Sequence, residues 1–169
     1  MENLSRRTFL KSASVAAAGT LIIPNLFSCS ANNKLNIAII GVGGRGQDNW
    51  ETLFVDASDN GKKKEGPQRK VLTENVVALC DVDEKRAAEG FKTFPKAKRY
   101  KDYRVMFDEM ANQIDAVIIS TPDHLHFAAT MIAMQLGKHV YVEKPLAHNI
   151  WQLRTMKKAA KHYGIVSQM

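Results

Sequence analysis

Three things that would settle the class of this chain at once are scarce in it. Cysteine occurs twice, at Cys29 and Cys80, which makes neither a disulfide framework nor a zinc-ligand spacing. Long apolar runs are missing too: the best candidate, residues 15–23, ends at Pro24 and falls well short of the ~20 residues a membrane-spanning helix needs. Aromatic residues make up 8%. No stripe of basic residues interleaved with aromatics exists, so a net charge of +7 does not point to nucleic acid. The lysine runs at 62–64, 96–101 and 157–158 read instead as solvated faces and loops. What is present is a globular composition, 45% hydrophobic and 24% charged over 169 residues, enough for a single core.

The first 33 residues read as an address. SRRTFLK at 5–11 places paired arginines, Arg6 and Arg7, ahead of a weakly apolar stretch. That pattern fits a twin-arginine export signal, and it is set apart from any fold argument. LFSC at 26–29 resembles a loose lipobox, in which Cys29 is lipidated after cleavage and anchors the protein to a membrane without spanning it. The bulky Phe27 departs from the usual small residue, and ordinary cleavage near Ala31 is the alternative. A periplasmic protein is expected either way. Arg6, Arg7 and Lys11 against Glu2 lie in the leader, leaving +5 on the rest.

The remainder is organised around LNIAIIGVGGRGQDNW, residues 35–50. A β-rich apolar run leads into Gly41, Gly43 and Gly46 at the spacing G-x-G-x-x-G, with Gly44 and Arg45 inside the loop. In a strand–turn–helix, Gly41 permits the tight turn, Gly43 lets backbone approach a pyrophosphate, and Gly46 lets the helix pack on the strand. Arg45 offers a further charged donor to the phosphates. A helix over 47–57 and a polar loop over 59–69 are expected next. VVALC at 76–80 reads as a second buried strand ending in Asp81, where an adenosine ribose is held by its hydroxyls. An acid there repels a 2′-phosphate and argues for NAD. Lys85 and Arg86 partly offset it, so NADP is not excluded. N-capping the next helix is the other role open to Asp81.

Four further strands alternate with helices. A helix is expected over 83–90, a strand over 97–100, a helix over 103–111, a strand over 115–119, a helix over 128–136 closed by Gly137, and a strand over 139–142. A last helix runs over 150–163 to Gly164, and a sixth strand begins at 165–167. Such alternation predicts a doubly wound α/β domain with a parallel sheet and right-handed crossovers. Every unusual polar cluster falls at the carboxyl end of a strand, where ligands bind in such sheets. These clusters are the glycine loop, Asp81, the segment STPDHLH at 120–126 and Glu143-Lys144-Pro145. His124 and His126 lack a carboxylate or thiol set beyond Asp123, so no metal site is expected.

IAIIGVGGRG, ALCDVD, DAVIISTPDHLH and GKHVYVEKPL together resemble the Gfo/Idh/MocA family of glucose–fructose oxidoreductase and inositol dehydrogenase relatives. The resemblance covers residues 35–169. It implies a Rossmann NAD(P)-binding domain, hydride transfer to or from a sugar or cyclitol, and a homo-oligomer. Lys144 and His126 then become the catalytic candidates, with Lys144 by the reacting carbon and Lys144–Pro145 a candidate cis bond. Thr121 and Pro122, with His126, line the nicotinamide end, and Glu143 orients the cofactor or the lysine. Burial against a cofactor is what suits a lysine to acid–base work. The resemblance also implies a second, substrate-gripping domain, which this sequence does not contain. The expectation is a leader over 1–33 and a Rossmann domain over 34–169, a truncated piece inactive by itself. An NAD-dependent glycoside hydrolase of the same family and a non-catalytic dinucleotide-binding module are the alternatives.

Overall fold

The computed structural model describes residues 34–56 and 70–169. The leader, Cys29 and the polar segment 59–69 lie outside the described residues.

The sheet grows outward from β1 (Asn36–Ile40). Beside it on one edge lies β4 (Asn75–Cys80), then β5 (Lys98–Tyr100); on the other lie β6 (Ala116–Ile119), β7 (His139–Val142) and β8 (Ser167–Gln168). All five pairings are parallel. The chain builds one edge from β1, then returns to the middle and builds the other. That reversal opens a crevice beyond the carboxyl ends of β1 and β6, the topological switch point where doubly wound sheets take ligands.

The apolar runs are nearly continuous because both faces of the sheet are covered. Period-two alternation sends Ala38, Ile40, Ala78, Cys80, Val117 and Ile119 to one face and Ile37, Ile39, Leu79 and Ile118 to the other. The first face packs against α3 (Tyr103–Met110), α4 (Asp123–Gln135) and α5 (Ile150–Tyr163), through Met106, Phe107, Met110, Ala133, Met134 and Ala159. The second packs against α1 (Arg45–Glu51) and α2 (Ala88–Thr93), through Trp50 and Phe91. Deleting the side chain of fully buried Met106 at this layer should cost about 2–5 kcal/mol.

Helix ends follow their sequence signals. Asp102 caps α3 by accepting from Arg104 N, and Asn149 caps α5 by accepting from Gln152 N. Gly164 closes α5 in the left-handed region at φ 65°, where a residue without Cβ is favoured.

The last strand, expected over 165–167, lies at Ser167–Gln168, and three helix boundaries differ more widely. The helix expected over 47–57 ends at Glu51, and Phe54–Asp56 forms β2, antiparallel to β3 (Lys70–Leu72). Thr52 Oγ1 donates to Asn49 O at 2.7 Å, and Phe54 stacks on Phe94 with ring centres 6.0 Å apart. An aromatic contact across the second core holds the segment extended where helical periodicity alone would continue. The helix expected over 83–90 begins at Ala88, because Asp83 Oδ1 accepts from Lys85 N and Arg86 N in a turn of its own. The helix expected over 128–136 begins earlier, at Asp123, directly after Pro122. Among the described residues, no helix is long and apolar enough to cross a membrane.

Candidate functional site

At the switch point lies a cleft of about 640 Å³, lined on one side by Gly41, Gly43 and Asp81 and on the other by Ser120, Thr121 and Pro122. The glycine loop is shaped by what it leaves no room for. A Cβ on Gly46 would lie 1.9 Å from Gly41 O, so α1 can start this close to the strand only through a glycine. Gly41 has φ +84°, and a Cβ there would stand 2.6 Å from the Ser120 carbonyl carbon. The β1 and β6 loops therefore touch backbone to backbone. Gly43 is bare for a reason the sequence does not disclose: its missing Cβ faces the Arg86 backbone at 2.5 Å. The Arg86 guanidinium lies over Gly44, with Nη2 2.7 Å from where a Cβ would be.

Asp81 closes this loop from the end of β4. Its Oδ2 accepts from Val42 N at 2.8 Å and Gly43 N at 3.1 Å, and its Oδ1 accepts from Asp83 N at 2.9 Å. Asp81 does not cap the next helix: Ala87 stands at the N-cap of α2 without a side-chain cap, and Asp83 accepts from the amides of the turn before it. A carboxylate has about four acceptor sites; three are used here, so acceptor capacity remains, and Asp81 lines the cleft. Neighbouring Cys80 is no nucleophile. Burial first, then the charges of Asp102 and Asp81, push its thiol up to about 12.

Glu143 follows β7 and is buried, 8% exposed. Its Oε2 accepts from Asn49 Nδ2 at 3.0 Å and from Arg45 Nε at 3.1 Å. Asn49 Nδ2 also donates to Ser120 Oγ at 2.8 Å. The Asn49 hydrogen bond, and after it the Arg45 one, holds the Glu143 carboxyl below its ordinary range against the opposing pull of burial. Arg45 is thus committed to Glu143, with Asp48 as a second partner at 3.3 Å, rather than standing free over the glycine loop. Asn49 is the residue that sequence reasoning missed. Its one signal was a polar side chain on the face of α1 that carries Trp50.

Lys144 is exposed and joined to Pro145 by a cis peptide. His126 was expected among the catalytic groups. It is 1% exposed, with Nδ1 2.7 Å from Pro145 O and Nε2 2.7 Å from Thr121 O. Backbone carbonyls stand at both ring nitrogens; a neutral imidazole carries one N–H and donates to one of them, and the ring lies between the loop after β6 and the loop after β7. Thr121 Oγ1 is buried and finds no partner among the described residues. His124 stays on the surface, 3.9 Å from Asp123, and no group of three metal-ligating side chains occurs among the described residues. Gly41, Gly43, Asp81, Arg45, Thr121 and Pro122 all line the one cleft. The donor set suits a dinucleotide: close-approach backbone and a guanidinium for phosphates, and a carboxylate for ribose hydroxyls.

Comparisons with known proteins agree. Residues 35–169 match the family model described as an oxidoreductase family with an NAD-binding Rossmann fold. Residues 3–22 match the twin-arginine translocation pathway signal sequence, which marks the chain for export to the periplasm. A glycosyl hydrolase family 109 protein of Shewanella pealeana is 32% identical over 165 residues, covering 89% of this chain and 36% of that protein. The NADP(+) scyllo-inositol 2-dehydrogenase IolW of Bacillus subtilis is 33% identical over 101 residues, 60% of this chain and 27% of that one. The crystal structure of myo-inositol 2-dehydrogenase from Lactobacillus plantarum superposes with a TM-score of 0.63 at 26% identity, over 80% of this chain and 36% of that one. The chain thus spans from about a quarter to little more than a third of the length of these relatives.

Proposed function

From a chain that belongs to the Gfo/Idh/MocA oxidoreductase family and carries its NAD-binding Rossmann fold, we propose the cofactor-binding part of an exported enzyme that acts on a sugar or cyclitol hydroxyl. The observation that supports this best is the Asn49–Glu143–Arg45 cluster. It links the glycine-loop helix to the loop bearing Lys144.

In this reading the glycine loop and Arg86 hold the pyrophosphate, and Asp81 accepts from the adenosine ribose. Thr121 and Pro122 line the nicotinamide end. Nicotinamide, when bound, supplies a hydride acceptor for the carbinol carbon. Lys144 moves the proton: its amine stands at the end of β7 and takes the hydroxyl proton of the substrate. Glu143 and His126 act as positioning residues, one on each side of the Lys144–Pro145 loop. Residues 1–33 are the leader, with Cys29 as its lipid-anchor candidate, and residues 34–169 are the cofactor domain. Further grip on the substrate, and the oligomer contacts, belong to sequence of the kind its longer relatives carry. Residues 34–169 alone are then expected to bind cofactor without turnover, because reacting carbons must be held at roughly 3–3.5 Å in a site closed to water.

Likeness to the Shewanella pealeana glycosyl hydrolase favours a second reading, in which the same hydride transfer is transient and NAD is recycled during glycoside cleavage. Turnover of the full-length protein against added NAD separates the two. A dehydrogenase consumes NAD in proportion to product, whereas a hydrolase turns over many times on the NAD it holds. Titrating NAD calorimetrically into residues 34–169 tests the shared premise, and absence of binding would overturn both.

A further inference from the structure

Beside the cofactor cleft, at the same carboxyl-end face of the sheet, α4 and α5 begin side by side. Trp151 stands in the first turn of α5 and is 67% exposed. Half-buried Phe127 of α4 backs it, ring centres 5.8 Å apart and tilted by 54°. Asp123 starts α4, and His148 precedes the cap of α5; His148 Nε2 lies 3.3 Å from Asp123 Oδ1, with both side chains about half exposed. This rim is fixed in place. Asn149 caps the helix through Gln152 N, and Gln152 Oε1 accepts from His148 N at 3.0 Å.

Resting on the reading that the cleft holds NAD for a sugar-directed enzyme, we infer that Trp151, with Asp123 and His148, forms a subsite for a pyranose ring or cyclitol ring of the substrate. Such rings alternate an apolar C–H face with equatorial hydroxyls. The indole offers a broad apolar face at low entropic cost, since only two side-chain torsions are fixed. The carboxylate accepts from hydroxyls, and the imidazole is a polar partner for others. His148 helps hold the Asp123 carboxyl below its usual range, so it is an ionised acceptor at neutral pH. A protein or lipid surface fits less well. An apolar surface of either kind would cover the ring but strip water from an ionised carboxylate without returning a donor. The position also suits a substrate ring: Trp151 is seven residues beyond Lys144, on the helix that the Lys144–Pro145 loop feeds.

The test uses the ¹⁵N-labelled protein saturated with NAD+. The chain has two tryptophans, so two indole N–H signals are expected, and Trp50, 3% exposed, is the internal control. N-acetyl-D-galactosamine, methyl β-D-glucopyranoside and myo-inositol are the probes. At least one should move the Trp151 signal saturably while Trp50 stays still. Saturation transfer to the ring C–H protons should report about tenfold weaker affinity in Trp151→Ala, and weaker affinity in Asp123→Asn, with NAD+ affinity and melting temperature unchanged in both. Normal NAD+ binding with an unmoved Trp151 signal overturns this inference alone. Movement with protein concentration instead of sugar also overturns it, in favour of a contact between copies of the chain. Failure to bind NAD+ at all overturns the cofactor reading beneath it.

Discussion

One amide nitrogen of Asn49 ties the ends of two strands together, donating to Ser120 Oγ after β6 at 2.8 Å and to Glu143 Oε2 after β7 at 3.0 Å. Helix α1 therefore fixes the ends of β6 and β7 at a single point. Arg45, one turn earlier, adds a charged hydrogen bond to the same carboxylate oxygen.

A pH dependence follows from that carboxylate. Glu143 sits below its ordinary value of 4.5 in the folded chain, so between the two values the unfolded chain binds more protons. Its contribution to stability is complete above the unfolded value and is lost as pH falls through the folded one. Thermal melts from about pH 7 to about pH 3 should show this fall. Asn49→Ala should narrow the window, moving acid unfolding to higher pH, and Glu143→Gln should flatten that part of the curve. An Asn49→Ala profile parallel to wild type at every pH would refute the link.

Gly46→Ala should be among the most damaging single-methyl changes in the chain. The added carbon meets a backbone oxygen at 1.9 Å, not the end of a flexible side chain. A loss of about 3 kcal/mol, the upper range for overpacking, is expected in denaturant unfolding, along with weaker NAD binding. Gly43→Val should also weaken NAD and NADP alike, as it forces the loop away from Arg86. Wild-type stability in Gly46→Ala would mean the loop is set otherwise.

NAD(H) should bind more tightly than NADP(H) in calorimetric titration, because Asp81 repels a 2′-phosphate. Equal or stronger NADP(H) binding would show that Lys85 and Arg86 outweigh it. Asp81→Ala should do double harm. It removes the ribose acceptor and leaves the Val42 and Gly43 amides without their partner, at a cost of about 1–3 kcal/mol for each that stays buried.

Replacing Arg6 and Arg7 with lysine should retain the protein in the cytoplasm, since the translocation receptor reads the arginine pair. Cell fractionation checks this. Labelling with a fatty-acid analogue, with Cys29→Ala as the control, decides whether the leader ends in a lipid anchor. Unchanged periplasmic recovery of the double lysine variant would defeat the export reading.

Lys144→Ala in the full-length protein should lower kcat about 10²–10⁴-fold, the span of positioned acid–base groups. NAD affinity and melting temperature should hardly change, as the side chain is exposed. Retained turnover would move the proton-transfer role to another residue.

Much of this fold was legible because its signals are local. The run before Gly41 and the span 150–163 closed by Gly164 carry their own start and stop chemistry, and α5 occupies that span. Signals that depend on distant partners were not legible. Phe54 is extended because Phe94 lies across the core. Asn49 matters because two residues more than seventy positions away converge on its amide. His126 entered as a candidate through the family resemblance, and its closeness to the carbonyls of Thr121 and Pro145, after two different strands, is set by the fold.

The short hairpin of β2 and β3 has an evolutionary side. Asp56 pairs with Lys70 and Phe54 with Leu72, so the polypeptide departs toward residue 57 and comes back at residue 70 through one doorway. Whatever length occupies that interval, β4 starts from the same place and Asp81 arrives at the same depth. Lengthening such an excursion is thermodynamically mild, about 0.6 kcal/mol per doubling. The interval is thus a graft point, where descendants of this gene can gain or shed sequence, and an engineer can splice in a tag, without retuning the nucleotide cleft.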